Sequence, residues 1–153
     1  MAEFSYTIEI GAPDDAAVIA AFQVAMALET ENIALVPATV AQGVRHIFET
    51  PGVGFYVIAK DPKGAVVGSL LVLSEWSDWR NTDVFWVHSL YVTPEHRKRG
   101  VFRAMMEYVE ALAAESGAAG IRLYVERENA AAKAVYSHIG MSNRHYEMFE
   151  KML

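Results

Sequence analysis

Residues Val66 to Leu73, VVGSLLVL, are apolar almost without a break. A run of this kind has no polar side to turn toward water, so it predicts a strand buried on both faces. Such a strand needs a sheet with helices laid over it, and the flanking sequence offers them. Pro13-Asp14-Asp15 opens a first helix, with proline suited to the first turn and acids at the positive end of the helix dipole. Val18, Phe22, Ala25 and Leu28 keep helical spacing behind it. A second helix follows Pro37, with Val40, Val44 and Ile47 on one face. A long amphipathic helix carries Val101, Met105, Tyr108 and Leu112 and ends at Gly117 and Gly120.

The other strands are shorter. Tyr6–Ile10 alternates, and Gly54–Lys60 leads into the turn Asp61-Pro62-Lys63-Gly64. Phe85–Val92 is aromatic and β-branched until Pro94 stops it. Ile121–Val125 and Tyr146–Met152 are expected as the last two strands, with a helix over Asn129–Ile139 between them. The predicted order is β-α-α-β-β-β-α-β-α-β. Strands and helices do not alternate strictly, which disfavours a doubly wound parallel sheet and favours an α+β fold with a mixed sheet covered by helices. Residues 1–153 show no repeat, low-complexity segment or linker, and are expected to form a single domain.

Composition removes several classes of function. With 53% hydrophobic and 21% charged residues, the chain can build a packed core. Cysteine is absent, which excludes disulfides, thiolate nucleophiles and cysteine metal sites. The histidines at 46, 96, 138 and 145 have no metal-ligand spacing, so no metal is expected. A net charge of −6 argues against nucleic acid as a partner. No apolar run is long enough to span a bilayer, and the N-terminus does not read as a signal peptide, so the expected location is cytoplasmic.

Against that acidic background, Arg97, Lys98, Arg99 and Arg103 cluster between the strand ending at Val92 and the helix starting near Val101. They are four of only 13 basic residues. Cations at a helix N-terminus oppose the macrodipole, whereas a bound polyanion would be favoured there by unpaired amides and by the close approach glycine allows. The residues alone leave two readings open, an anion site and a solvated basic turn.

The segment Arg97-Lys98-Arg99-Gly100-Val101-Phe102 resembles the acyl-CoA signature of the GNAT superfamily of N-acetyltransferases: Arg or Gln, two residues, Gly, one residue, then Gly or Ala. Arg97 and Gly100 match, and Phe102 departs from the third position. A second block is similar too: Leu123-Tyr124-Val125, then Asn129 with Ala132 and Tyr136 behind it, then Gly140-Met141. The order of elements also matches, so the resemblance covers essentially the whole chain. It implies a mostly antiparallel mixed sheet with splayed central strands, and acetyl-CoA as co-substrate. The pantetheine arm would pair with backbone at Leu90, Tyr91 and Val92, where a bulge aims an N–H at the thioester oxygen. Pyrophosphate would sit on the amides of Arg97, Lys98, Arg99, Gly100, Val101, Phe102 and Arg103, and Asn129 would contact the pantetheine. The acetyl group would pass directly to a primary amine in a ternary complex, with Tyr136 protonating the leaving thiolate. On the residues alone, Tyr136 reads first as a core aromatic beside Val135 and Ile139.

For the amine, Glu29 and Glu31 stand at the C-terminus of the first helix, where acids oppose the dipole. The segment Glu75-Trp76-Ser77-Asp78-Trp79-Arg80 places two of three tryptophans beside two acids, in what reads as a polar loop. Aromatic faces with carboxylates suit a small cationic amine. They suit equally a covered sheet edge with solvated acids. Glu75 and His88 are the candidates to take the amine's proton, Glu75 being preferred. Two alternatives keep the fold: a catalytically silent acyl-CoA-binding regulatory module, and an acyltransferase for a longer acyl-CoA. By analogy, open strand edges would permit a homodimer.

Overall fold

The computed structural model describes residues 5–153. They divide into two compact units, one extending to Arg122 and one spanning Leu123–Leu153.

The first unit contains β1 (Thr7–Ile10), α1 (Ala16–Glu31), α2 (Pro37–Glu49), β2 (Gly54–Lys60), β3 (Val66–Ser77), β4 (Thr82–Val92), α3 (Val101–Ser116) and β5 (Ile121–Arg122). Short 3₁₀ turns precede α1 at Pro13–Asp15 and α3 at Pro94–His96. The strands form one sheet in the order β1-β2-β3-β4-β5. The first three pairings are antiparallel and β4–β5 is parallel. This is the mixed, mostly antiparallel sheet expected, and the apolar run lies in its middle strand, with Leu70 and Val72 fully buried.

The two faces follow from register and alternation. On one face, Tyr56 and Ile58 pack with Ile19 and Ala20 of α1 and Val44 of α2. The other face receives α3, whose Val101 and Met105 pack against Gly68. A Cβ there would lie 3.2 Å from the Tyr91 carbonyl oxygen, 3.3 Å from Met105 Cε and 3.4 Å from Val101 Cγ1. Glycine at this position lets the start of α3 settle on the sheet beside the end of β4. Gly68→Val is therefore expected to overpack the contact and destabilise the fold by about 1–3 kcal/mol, read as a lower denaturant midpoint at unchanged m-value.

Three expectations need correction. The strand expected over Ile121–Val125 keeps ladder pairing only at Ile121 and Arg122. Tyr146–Met152 forms no strand, and Tyr146, Met148, Phe149 and Met152 are exposed. Composition can favour an extended segment, but a strand exists only where a neighbour accepts its hydrogen bonds. Finally, Glu75–Arg80 is not a free loop: β3 runs through Glu75 and Trp76 to Ser77, and β4 starts at Thr82, so these residues form the end of a long hairpin.

The second unit holds α4 (Ala130–His138), capped by Asn129, whose Oδ1 accepts from the Ala132 N–H at 3.0 Å. Among the described residues, no helix is long and apolar enough to cross a membrane.

Candidate functional site

The central feature of the first unit is a fault in β4. Ser69 pairs with Tyr91 and Leu71 with His88, so Leu70 alone opposes both Ser89 and Leu90. That is a β-bulge, with one residue more on β4 than on β3. Ser89 carries it with φ of +53°. A non-glycine residue in the left-handed region costs roughly 1–2 kcal/mol, and such strain persists only where surrounding structure enforces it. The bulge takes Ser89 and Leu90 out of the regular ladder and re-aims their peptide groups. On its other side, β4 pairs with β5 only at Phe85 and Trp86. From Val87 to Val92 that edge carries no strand pairing among the described residues.

The basic turn follows at the end of β4. Lys98 (φ +58°) and Gly100 (φ +81°) both adopt left-handed conformations, and Gly100 is the N-cap of α3. Open space surrounds Gly100, so conformation, not room, requires glycine there. No side chain caps α3. Its first intrahelical bond runs from the Ala104 N–H to the Gly100 carbonyl at 2.9 Å, so the first turn of α3 ends at the basic turn. Val101 is buried as an anchor while the turn before it is exposed. Uncapped amides, a partial positive charge and basic side chains make a surface suited to a pyrophosphate. Phe102, half-buried, leaves this arrangement intact.

Arg97 is used differently from its basic neighbours. Its Nε donates to the Val92 carbonyl at 2.9 Å, and its two terminal nitrogens grip both carboxylate oxygens of Glu29 on α1, Nη2 to Oε2 at 2.9 Å. The guanidinium also lies 5.5 Å from the centre of the Tyr91 ring. The carboxylate beside it holds the Arg97 pKa up, and the Arg97 hydrogen bonds hold the Glu29 carboxyl below its usual range. A further tie joins Tyr6 Oη and His96 Nδ1, 3.0 Å apart. Arg103 pairs along its own helix with Glu107 at 2.8 Å.

The face of the sheet that carries α1 and α2 also carries, further along, Glu75 on β3 and Trp86 and His88 on β4. The Trp86 and His88 rings stack at 6.2 Å with an interplanar angle of 21°. Burial pushes the His88 imidazole below its ordinary 6.5, so it is neutral at neutral pH. Glu75 is reached by the Arg122 guanidinium at 3.4 Å. Trp86 and Arg122 escaped the sequence reading. The signal for Trp86 was there, as an aromatic two residues before a histidine on one strand, which puts both on one face. Arg122 gave no local signal, because its partner lies 47 residues away. At the hairpin end, Trp76 and Trp79 are 61% and 86% exposed and flank Asp78. Glu31 is exposed at the last residue of α1, before a connection with exposed Ile33 and Val36.

A sequence model of the acetyltransferase (GNAT) family matches residues 20–141. The chain belongs to the GNAT family of acetyltransferases. As a GNAT enzyme it is an acetyl-CoA-dependent acetyltransferase. A solved structure described as a possible acetyltransferase from Clostridium difficile is 33% identical, with 97% of each chain covered and a TM-score of 0.89. A GCN5-related N-acetyltransferase from Ralstonia eutropha is 22% identical over 97% of this chain and 99% of its own, at a TM-score of 0.78. An aminoglycoside acetyltransferase from an uncultured soil sample is 18% identical over 97% and 99%, at 0.72. These last two share the fold of this GNAT chain.

In the second unit of this GNAT enzyme, the Asn129 carboxamide oxygen serves as the α4 cap described above, which leaves its NH₂ group for other partners. Tyr136 lies on α4, half-buried, and burial pushes its phenol above 10, so the hydroxyl stays protonated at neutral pH. No group of three or more His, Asp or Glu residues suited to a metal occurs among the described residues.

Proposed function

We propose that this enzyme transfers acetyl from acetyl-CoA directly to a primary amine on a small cationic acceptor, through a ternary complex. The observation that carries the reading is the pairing of a strained bulge at Ser89 with an uncapped, basic helix start twelve residues later. When bound, acetyl-CoA supplies the thioester that the amine attacks and the thiolate that leaves. The amides of 98–103 would hold its pyrophosphate, with Lys98 and Arg99 adding charge. The displaced backbone at Leu90 would donate to the thioester oxygen, and the open edge from Val87 to Val92 would receive the pantetheine amides.

His88 is assigned as the group that takes the amine's proton, in preference to Glu75. A neutral imidazole one residue before the bulge, stacked on the Trp86 ring, can accept a proton. Tyr136 is assigned as the proton donor to the leaving thiolate, on its place in the second block and its protonated phenol. Glu31, Asp78, Trp76 and Trp79 are assigned to the acceptor, because exposed indoles beside carboxylates attract organic cations. The aminoglycoside acetyltransferase named above acts on a polycationic amine, which fits that charge pattern.

Calorimetric titration of acetyl-CoA, followed by turnover with a panel of polyamines, aminoglycosides and amino acids, tests the reading. Micromolar donor affinity and turnover of a cationic amine are expected. A Lys98→Ala, Arg99→Ala double variant is expected to bind the donor about three- to tenfold more weakly, the scale of two exposed, solvent-screened charges. Absence of donor affinity would overturn the reading. Affinity without turnover of any amine would point to a silent acyl-CoA-binding module, and preference for a longer acyl-CoA to a different acyltransferase.

A further inference from the structure

Glu29 sits in the last turn of α1, two residues before Glu31 and three before Asn32, which closes the helix at φ of +54°. Its position in sequence groups it with the acceptor acids. Its contacts do not. Both carboxylate oxygens are taken by the terminal nitrogens of Arg97, 68 residues away. The same guanidinium is held by the Val92 carbonyl through Nε and lies over the Tyr91 ring. Arg97 is thereby fixed on three sides, by α1, by the last residue of β4 and by an aromatic face. It is the residue that enters the turn, extended at ψ of 154°, just before the left-handed Lys98. A flexible arginine would leave the following backbone free to choose among several turn geometries. A bidentate fork fixes one.

We infer that Glu29 is a positioning residue for the donor site: through Arg97 it holds the 98–103 turn in the arrangement that presents its amides, and it is not an acceptor ligand. The inference rests on the donor reading given above and deepens it. It also assigns a new role to the Arg97 side chain, which steadies the turn from behind instead of meeting the pyrophosphate. One consequence concerns α1. Because its C-terminal turn is tied to the donor turn, ordering of either end favours ordering of the other, and the effect must be reciprocal. Donor binding would thus steady the start of the connection at 32–36, where Ile33 and Val36 are exposed.

The test is a double-mutant cycle with Glu29→Gln and Arg97→Gln, both surface changes, read by acetyl-CoA calorimetry and by acceptor kinetics at saturating donor. Glu29→Gln is expected to weaken acetyl-CoA binding about two- to fivefold, the range for a solvent-screened ion pair, with acceptor KM and kcat unchanged. The double variant is expected to bind no worse than Arg97→Gln alone, because the two residues act as one unit. Unchanged donor affinity in Glu29→Gln would overturn the inference. So would a raised acceptor KM at unchanged donor affinity, which would return Glu29 to the acceptor site. Additive losses in the double variant would overturn the route through Arg97. Wild-type protein that fails to bind acetyl-CoA would instead overturn the donor assignment itself, and this inference with it.

Discussion

Tyr136→Phe is expected to lower kcat by about 10²-fold while leaving acetyl-CoA affinity near the wild-type value, since a positioned general acid contributes about 10²–10⁴-fold. The substitution removes one oxygen and keeps the ring, so packing within α4 is preserved. On the proposed role, what is lost is the proton delivered to the thiolate as it departs. Burial raises the phenol's pKa, which makes the hydroxyl a weaker acid but ensures that it carries its proton across the physiological range. Rapid-quench kinetics on saturated enzyme, with thiol release as the readout, would check it. Unaltered kcat would remove Tyr136 from the chemistry and leave it as a packing residue.

His88→Gln is the second large change expected. Glutamine keeps a polar side chain of similar length beside Trp86 but cannot take a proton. A loss of about 10²-fold in kcat/KM is expected, again the scale of general base catalysis. The pH profile carries the sharper signature. Burial lowers the His88 pKa, so in wild-type enzyme the acid limb of kcat/KM should turn below the ordinary histidine value of 6.5, and the variant should lose that limb. The same shift has a sign for stability. A histidine whose folded pKa lies below its unfolded value favours the folded state above 6.5, and that contribution falls away as pH drops through the folded pKa. If instead the limb persists in His88→Gln and disappears in Glu75→Gln, the base is Glu75.

Much of this architecture could be read from the chain, for identifiable reasons. The run from Val66 to Leu73 has one consistent interpretation, because apolar residues without alternation need cover on both sides. The basic turn was legible as a feature because it is local: Arg97 to Arg103 is one short stretch leading into a helix. Elements that depend on distant partners were not legible. In α1 nearly every position is apolar, so spacing could not tell which face turns inward, and Leu28, counted on the inner stripe, is 56% exposed. Glu29 looked like a misplaced acid at a helix end because Arg97 lies far along the sequence. Tyr146–Met152 has strand-like composition, yet ladder bonds require an edge that composition does not supply. The bulge at Ser89 had no signal in its residue type, since serine does not favour a left-handed backbone; the surrounding strands impose it.

The bulge also bears on what can pair with the edge of β4. Among the described residues, β4 pairs with no strand from Val87 to Val92 on its β5 side, and open strand edges invite pairing with other chains. A regular edge would accept any extended peptide in register. This one is interrupted at Ser89 and Leu90, where the peptide groups leave the ladder's repeat. A foreign strand could form a bond or two and would then fall out of step. A short, flexible arm with only two amide groups has no register to lose. If that backbone donates to a thioester as proposed, the same irregularity would also discriminate by length and periodicity, admitting a short arm such as pantetheine and discouraging strand-to-strand pairing.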